Sequence, residues 1–427
     1  MRWKRSRGRR RWLPRLRPRA GRRLPRELRA ENVARLAAAL AGGLADPGLT
    51  ALLSRIETSP VLSGNRVRVY TDGTAAFDAM LAAIDGSREE VLQEAYIFRD
   101  DETGLAFRDA LVRASERGAK VRVLADGLGS VETRHDFWDS MESRGVEART
   151  FHPLLGRFWD FAFRDHRKIL VVDRRIGFTG GMNIGTEYGS SRRSSRHAGR
   201  HGWRDTQVRV EGPTAWEMAI VFGEGWERAG GEPLDLPPLS VSDEAGTRIL
   251  TLDTRPGRGT DEMASILAAI GAASRRRLWI TNAYFAPKRG ALARLEGAVR
   301  RGVDVRLLLP GVSDVPLVRR AAHGFYGPLL ERGVRIFEYG AAVLHAKSLV
   351  ADEQVAVVGS TNLDYRSFDF NAELNLVMLC PATNAALAAA FEKDLELSTE
   401  ILLPDWKRRP LFEKAGDRLA RCLAPLL

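Results

Sequence analysis

The stretch HRKILVVD, residues 166–173, reads as a buried strand that opens on a histidine and carries a lysine where its apolar run should begin. HAKSLVAD, residues 345–352, makes the same exception. The chain has seven histidines and eight lysines in 427 residues, yet one of each falls twice into the spacing H-x-K-x4-D. A repeated exception of this kind points to a duplicated unit.

The flanking sequence is duplicated as well. TAAFDAMLAAI (74–84) and TDEMASILAAI (260–270) each open on a threonine suited to cap a helix and then place apolar residues at i, i+3, i+4 and i+7. AYIF (95–98) answers AYFA (283–286), ERGAKVRVL (116–124) answers RRGVDVRLL (300–308), and SRGVEARTF (143–151) answers ERGVRIFEY (331–339). The order is kept throughout, as an internal duplication requires.

Strands alternate with amphipathic helices in each copy, which predicts an α/β fold of two homologous halves, each a mixed β-sheet flanked by helices. The expected boundaries are a basic N-terminal arm at 1–32, a helical lead-in at 33–64, half 1 at 65–230 and half 2 at 247–403. A linker rich in Pro, Gly and Ser is expected at 231–246, and a C-terminal amphipathic helix at 404–427. One active site at the interface of the halves would bring both histidines into one cleft.

Charge is unevenly spread. Residues 1–30 hold fourteen Lys or Arg and one acid, Glu27, while the remaining chain is close to neutral against a total of +12. Such an arm suits an anionic membrane surface or another polyanion. No run of eighteen apolar residues occurs, so no helical membrane span is expected, and the early arginines are not followed by the apolar stretch of a secretory signal. Cys380 and Cys422 form no metal or disulfide pattern, so a reducing compartment is expected.

Alternation along a strand puts His166 with Lys168, and His345 with Lys347, on one face. Asn183 and Asn362 each follow their histidine by seventeen residues, inside GGMN and GSTN. Two imidazoles, two ammonium groups and two amides make a donor-rich pocket suited to a phosphodiester, in which one histidine attacks phosphorus and the other protonates the departing oxygen. Asp205 and Glu373, on the strands after the asparagines, are the candidates for fixing the histidine tautomers. Asp173 and Asp352 complete the motif and are expected to hold it together rather than touch substrate. A lysine two residues from each histidine opposes a zinc site, so neither a metal nor a cofactor is expected.

H-x-K-x4-D followed by G-x-x-N, twice in one chain, resembles the phospholipase D superfamily over nearly all of residues 65–427. EAYIF, ITNAYFAP, RDTQVRVEGP and GSTNLDYRSFDFNAEL are similar to bacterial cardiolipin synthases, of the shorter type without N-terminal membrane spans. The resemblance implies two phospholipase D-like halves and a catalytic set of His166, Lys168, Asp173, His345, Lys347 and Asp352. It implies Asn183 and Asn362 on the phosphate, His166 as nucleophile and His345 as general acid and base. The implied reaction moves a phosphatidyl group from one phosphatidylglycerol to another, releasing glycerol, with phosphatidylethanolamine as a possible replacement. The implied location is the cytoplasmic face of the cell membrane, held peripherally.

Three rival readings use the same residues. A phospholipase D hydrolase differs in letting water resolve the intermediate, a nuclease would use the basic arm on nucleic acid, and a membrane-binding protein would do no chemistry. The lipid-synthase segments disfavour nucleic acid as partner. The insertion GSSRRSSRHAGRHGW (189–203), with His197 and His201, is expected to be a solvated loop. Tyr96, Phe98, Tyr284 and Phe285 are candidates for an acyl-chain groove or for simple packing. Trp406, Leu411, Leu419 and Leu423 either meet a membrane interface or dock on the body.

Overall fold

The computed structural model describes residues 35–426, apart from 36, 41, 58, 153–162, 190–201, 238, 240–244, 256–261 and 289. The basic arm, His197, His201 and Thr260 lie outside the described residues.

The first half contributes β1 (Val61–Tyr70), β2 (Glu90–Ala95), β3 (Lys120–Asp126), β4 (Glu147–Phe151), β5 (Arg164–Asp165), β6 (Ile169–Val172), β7 (Ile176–Gly180) and β8 (Gln207–Glu211). The second contributes β9 (Thr247–Thr254), β10 (Arg277–Thr281), β11 (Asp304–Val312), β12 (Arg335–Val343), β13 (Ser348–Ala351), β14 (Val355–Gly359), β15 (Asn371–Leu379) and β16 (Ser398–Ile401). In space the first half runs β1-β8-β7-β6-β2-β3-β4 and the second β9-β15-β14-β13-β10-β11-β12. Strand for strand the orders are the same. In each, two β-α-β steps give parallel pairs (β2 with β3 and β3 with β4, β10 with β11 and β11 with β12), and the motif strand enters antiparallel beside β2 or β10.

The halves do more than pack. β1 pairs antiparallel with β9, which joins the two sheets edge to edge into one. A first strand left unpaired would expose a row of backbone donors and acceptors, and each half covers the other's. The buried side chain of Asn65 fills the irregularity in this seam, its amide donating to the Leu62 and Thr247 carbonyls at 3.0 and 3.2 Å.

Amphipathic spacing gives the helices their buried faces. In helix Gly73–Asp85 the residues Phe77, Met80 and Ile84 are buried, and in helix Glu262–Ala273 so are Met263, Ile266 and Ile270. The cap of the first is Asp72 rather than Thr74, its carboxylate accepting from the Ala75 amide at 2.8 Å. A carboxylate one turn before the free amides also faces the positive end of the helix dipole, an advantage over a hydroxyl. In the lead-in, Leu49 and Leu53 of helix Pro47–Glu57 are buried with Ile266 and Ile270, so this segment belongs to the core of the second half although it precedes the first.

Candidate functional site

Each histidine sits in the segment entering its motif strand, before the ladder of β6 or β13 begins. Both segments cross to the other half. β5 pairs in parallel with β15, and the His166 amide donates to the Ala372 carbonyl at 2.9 Å; reciprocally, the His345 amide donates to the Arg204 carbonyl at 2.8 Å. The exchange sets each ring against a carboxylate of the opposite half. His166 Nδ1 lies 3.0 and 3.1 Å from the two carboxylate oxygens of Glu373, and His345 Nδ1 lies 2.7 Å from Asp205. With a carboxylate accepting at Nδ1, each Nε2 carries the lone pair.

Lys168 and Lys347 curl back so that each ammonium donates to the carbonyl of its own histidine, the first at 2.6 Å. Both lysines are buried. Burial brings Lys168 down to about 7 and Lys347 down to about 8, each held from falling further by Glu373 and Asp205. Losing water disfavours the charged form of an amine, and an anion at the site would restore it.

The two histidines are not electrostatic twins. Burial, then the charges of Lys168, Lys347 and His345, push the His166 imidazole well below its ordinary 6.5. Burial and Lys347 also lower His345, but Asp205 works against them. Their carboxylates diverge in the same sense. Burial raises Glu373 to about 7, whereas at Asp205 burial is outweighed by His345 and Lys347, which hold the carboxyl below its usual range. That His345 and Lys347 act on His166 at all puts the two motifs in one field.

Aromatic rings wall the site. Tyr96 meets His166 with ring centroids 5.1 Å apart, while Tyr188, Trp203 and Tyr284 surround His345 at 5.5, 5.3 and 6.2 Å. Phe98 and Phe285, by contrast, are buried in the cores beneath. Asn183 braces the first half: its carbonyl oxygen accepts from the Ile97 amide at 3.1 Å and its NH2 donates to the Tyr188 hydroxyl at 2.6 Å. Asn362 is also buried, and its side-chain oxygen has no hydrogen-bond partner among the described residues.

Asp173 and Asp352 stand apart from this group. Each closes the far end of its motif strand in a left-handed conformation, at φ 50° and 41°. The Asp173 carboxylate accepts from the amides of Arg88, Glu89 and Glu90, and Asp352 from those of Arg275, Arg276 and Arg277. Both tie the motif strand to the loop before β2 or β10, at the end remote from the histidine.

Two features escape a reading by motif. Tyr188 lies five residues after Asn183, where its hydroxyl and ring link Asn183 to His345. Arg366, four residues after Asn362, is half-buried and its charge bears on His166 and Tyr96. The corresponding position of the first half holds Glu187, which is buried and paired with Arg99 at 2.8 Å. The duplication has thus put a cation at one copy and an acid at the other.

The family described as "Cardiolipin synthase, PLD-like domain" matches residues 80–193 and 266–395, which together carry both motifs. The chain belongs to this cardiolipin synthase family. Its curated relatives include cardiolipin synthase 1 of Bacillus anthracis, 30% identical over 392 residues that cover 89% of this chain and 76% of that one. Cardiolipin synthase A of Pseudomonas putida (strain W619) is 35% identical over 380 residues, covering 88% and 78%. Cardiolipin synthases of this kind are phosphatidyltransferases of the phospholipase D type, so the chain is an enzyme of phospholipid synthesis. In fold it resembles the crystal structure of phosphatidylserine synthase from Haemophilus influenzae Rd KW20, with a TM-score of 0.68 over 88% of this chain and all of that one at 13% identity. Among the described residues no helix is long and apolar enough to cross a membrane.

Proposed function

We propose that the enzyme transfers the phosphatidyl group of one phosphatidylglycerol to the hydroxyl of a second, through a phosphohistidine on His166. The observation that carries this is the pair of cross-half contacts, His166 with Glu373 and His345 with Asp205, which leave both Nε2 atoms free to act. Phosphatidylglycerol is the donor and acceptor that fits the family, and an anionic membrane surface is where both would be met.

In the first step His166 Nε2 attacks phosphorus, the bond from phosphorus to the glycerol oxygen breaks, and His345 gives that oxygen its proton, releasing glycerol. In the second, His345 Nε2 takes the proton of the acceptor hydroxyl, whose oxygen attacks phosphorus and expels His166. The electrostatic difference between the rings favours these roles. A neutral imidazole is the better nucleophile, and His166 is the more strongly depressed; His345 has the ionised partner that stabilises an imidazolium. Lys168 and Lys347 each retain N–H groups for the non-bridging oxygens, where charge builds in the transition state. Asn183 and Asn362 would add amide contacts, Asn183 with the one N–H that Tyr188 leaves free. Water in place of the acceptor would give phosphatidic acid.

The test is incubation of purified enzyme with phosphatidylglycerol in mixed detergent micelles, following cardiolipin, phosphatidic acid and glycerol by mass spectrometry. Cardiolipin and glycerol in equal amounts, absent with His166→Ala and with His345→Ala, support the proposal. Phosphatidic acid as the sole lipid product would replace it with hydrolysis.

A further inference from the structure

The C-terminal helix Leu411–Leu423 is amphipathic in an inverted sense. Its inward side is small and polar: Asp417 and Ala420 are buried, and it lies against helix Pro316–Leu330 so closely that a Cβ added at Gly324 would come within 2.7 Å of Arg421 Cβ. Arg409 reaches Asp417 at 2.9 Å, and the Arg421 guanidinium sits over the Phe325 ring at 4.3 Å. Trp406, in the preceding helix, is held against the Tyr326 ring at 4.9 Å. The helix is therefore fixed to the body without using its large apolar residues.

Those residues face outward. Leu411, Phe412, Leu419 and Leu423 are 81%, 74%, 66% and 39% exposed. Leu411, Leu419 and Leu423 follow an i, i+4 row with Phe412 beside it, so they form one stripe of the helix surface. Lys414 and Arg418 lie along one border of that stripe, and Lys407 and Arg408, both exposed, stand before its start.

The helix on which it rests leads back to the site. Helix Pro316–Leu330 is entered from β11 through the short loop 313–315; Val312, Val315 and Leu317, in and beside that loop, are exposed, and Asp314 accepts a hydrogen bond from the Tyr284 hydroxyl at 2.6 Å. Tyr284 faces His345. Seven residues separate Leu317 from Gly324, about 10 Å along the helix, so loop and C-terminal helix flank one segment of surface beside the mouth of the site.

We infer that this surface, formed by the outward stripe of helix Leu411–Leu423 and the exposed apolar side chains of the segment 312–317, is where the enzyme docks on an anionic lipid bilayer. Aliphatic and aromatic side chains bordered by Lys and Arg match a headgroup boundary of negative charge over acyl chains, a combination that neither a neutral surface nor an acidic peptide offers. The choice of a bilayer as occupant rests on the lipid-substrate reading above. Docking here would hold the cleft at the depth of the headgroups, so that substrate need not leave the bilayer.

The experiment compares the full chain with Leu411→Gln/Phe412→Gln/Leu419→Gln by sedimentation with phosphatidylglycerol vesicles and with phosphatidylcholine vesicles. The inference expects parent binding to phosphatidylglycerol at least tenfold above that to phosphatidylcholine, and a loss of tenfold or more in the triple variant with unchanged circular dichroism. Val315→Gln/Leu317→Gln should give a smaller loss. In a Phe412→Trp variant, phosphatidylglycerol vesicles should shift the added emission to the blue. Equal vesicle binding by parent and triple variant would overturn the inference. So would a parent dimer that the triple variant dissociates, since the stripe would then be covered by a second copy. Turnover in detergent micelles is read in parallel: its absence from the parent would count against the phosphatidylglycerol reaction, while the vesicle result would still decide the docking surface.

Discussion

Glu373, on β15 of the second half, lies 3.0 Å from Nδ1 of His166 in the first, and it is raised by burial to about 7, whereas Asp205, opposite His345, is held below the usual carboxylate range. The two pairs are alike in geometry and unlike in charge. A protein built by duplication has two equivalent places for a nucleophile and an acid, and this difference separates them.

Replacing either carboxylate by its amide should therefore have unequal effects. Asp205→Asn removes an anion that supports the His345 imidazolium and should lower kcat by about 10²–10⁴, the range of general acid catalysis. Glu373→Gln removes a carboxylate already close to half protonated near neutral pH, and should cost at least several-fold less. Steady-state cardiolipin production in micelles checks the ratio, and equal losses would count against the assignment.

The pH profile follows from the same groups. His166 must be neutral to attack, and its depressed value puts the acid limb of kcat/KM below pH 6.5. Lys168 and Lys347 must be protonated to hold the phosphate, and with values of about 7 and about 8 they lose charge as pH rises, which gives the alkaline limb. His345 must begin protonated to act as the acid, and its own lowered value brings that limb in earlier, so the optimum for kcat/KM is expected on the acid side of pH 6.5. The limb for kcat should lie at higher pH, because the bound phosphodiester anion raises both lysines.

Arg366 supplies a prediction with two independent readouts. Arg366→Gln removes a positive charge that bears on His166, so the acid limb should move to higher pH. The same loss should raise KM for an anionic headgroup. An unchanged acid limb would mean that this side chain does not face the nucleophile.

For Asp173 and Asp352 the expected deficit is in stability. Each carboxylate accepts three backbone amides, and hydrogen bonds to a charged group are worth about 1.5–3 kcal/mol each, with part recovered from water where the amides are exposed. Asp352 is buried and Asp173 partly exposed, so Asp352→Ala should destabilise by about 3 kcal/mol and Asp173→Ala by about 2 kcal/mol. Urea unfolding measures this, and the Asp173→Ala protein that remains folded should turn over at close to the parent rate.

Much of this was legible in the sequence because a duplication states each strand and helix twice. The α/β class, the two homologous halves and the paired His166 and His345 motifs follow from repeated spacing, which also singled out Asp205 and Glu373 as candidates. What spacing could not supply was which carboxylate meets which histidine. That depends on the β1–β9 seam and on two segments that cross between halves, contacts made by backbone groups that carry no side-chain signature. Arg366 was hidden for the converse reason: it breaks the repeat, with Glu187 at the matching position, and a search for likeness passes over differences. At Thr74 the residue type suited a cap, but Asp72 two positions earlier offered the stronger acceptor. The outward face of the C-terminal helix was visible as a periodic pattern, yet periodicity does not tell which side meets the body.

The central claim, a phosphatidyl group carried on His166, is tested most directly by trapping it. The His345→Ala enzyme, lacking the acid that expels glycerol and the base that activates the acceptor, is mixed with a phosphatidyl ester of a phenol acidic enough to leave unaided, quenched in alkali, and mapped by peptide mass spectrometry. The account predicts a phosphatidyl adduct on the peptide that contains His166, formed at one per chain and absent from His166→Ala/His345→Ala. Phenol release without any adduct on that peptide, or release that persists in the double variant, would contradict it.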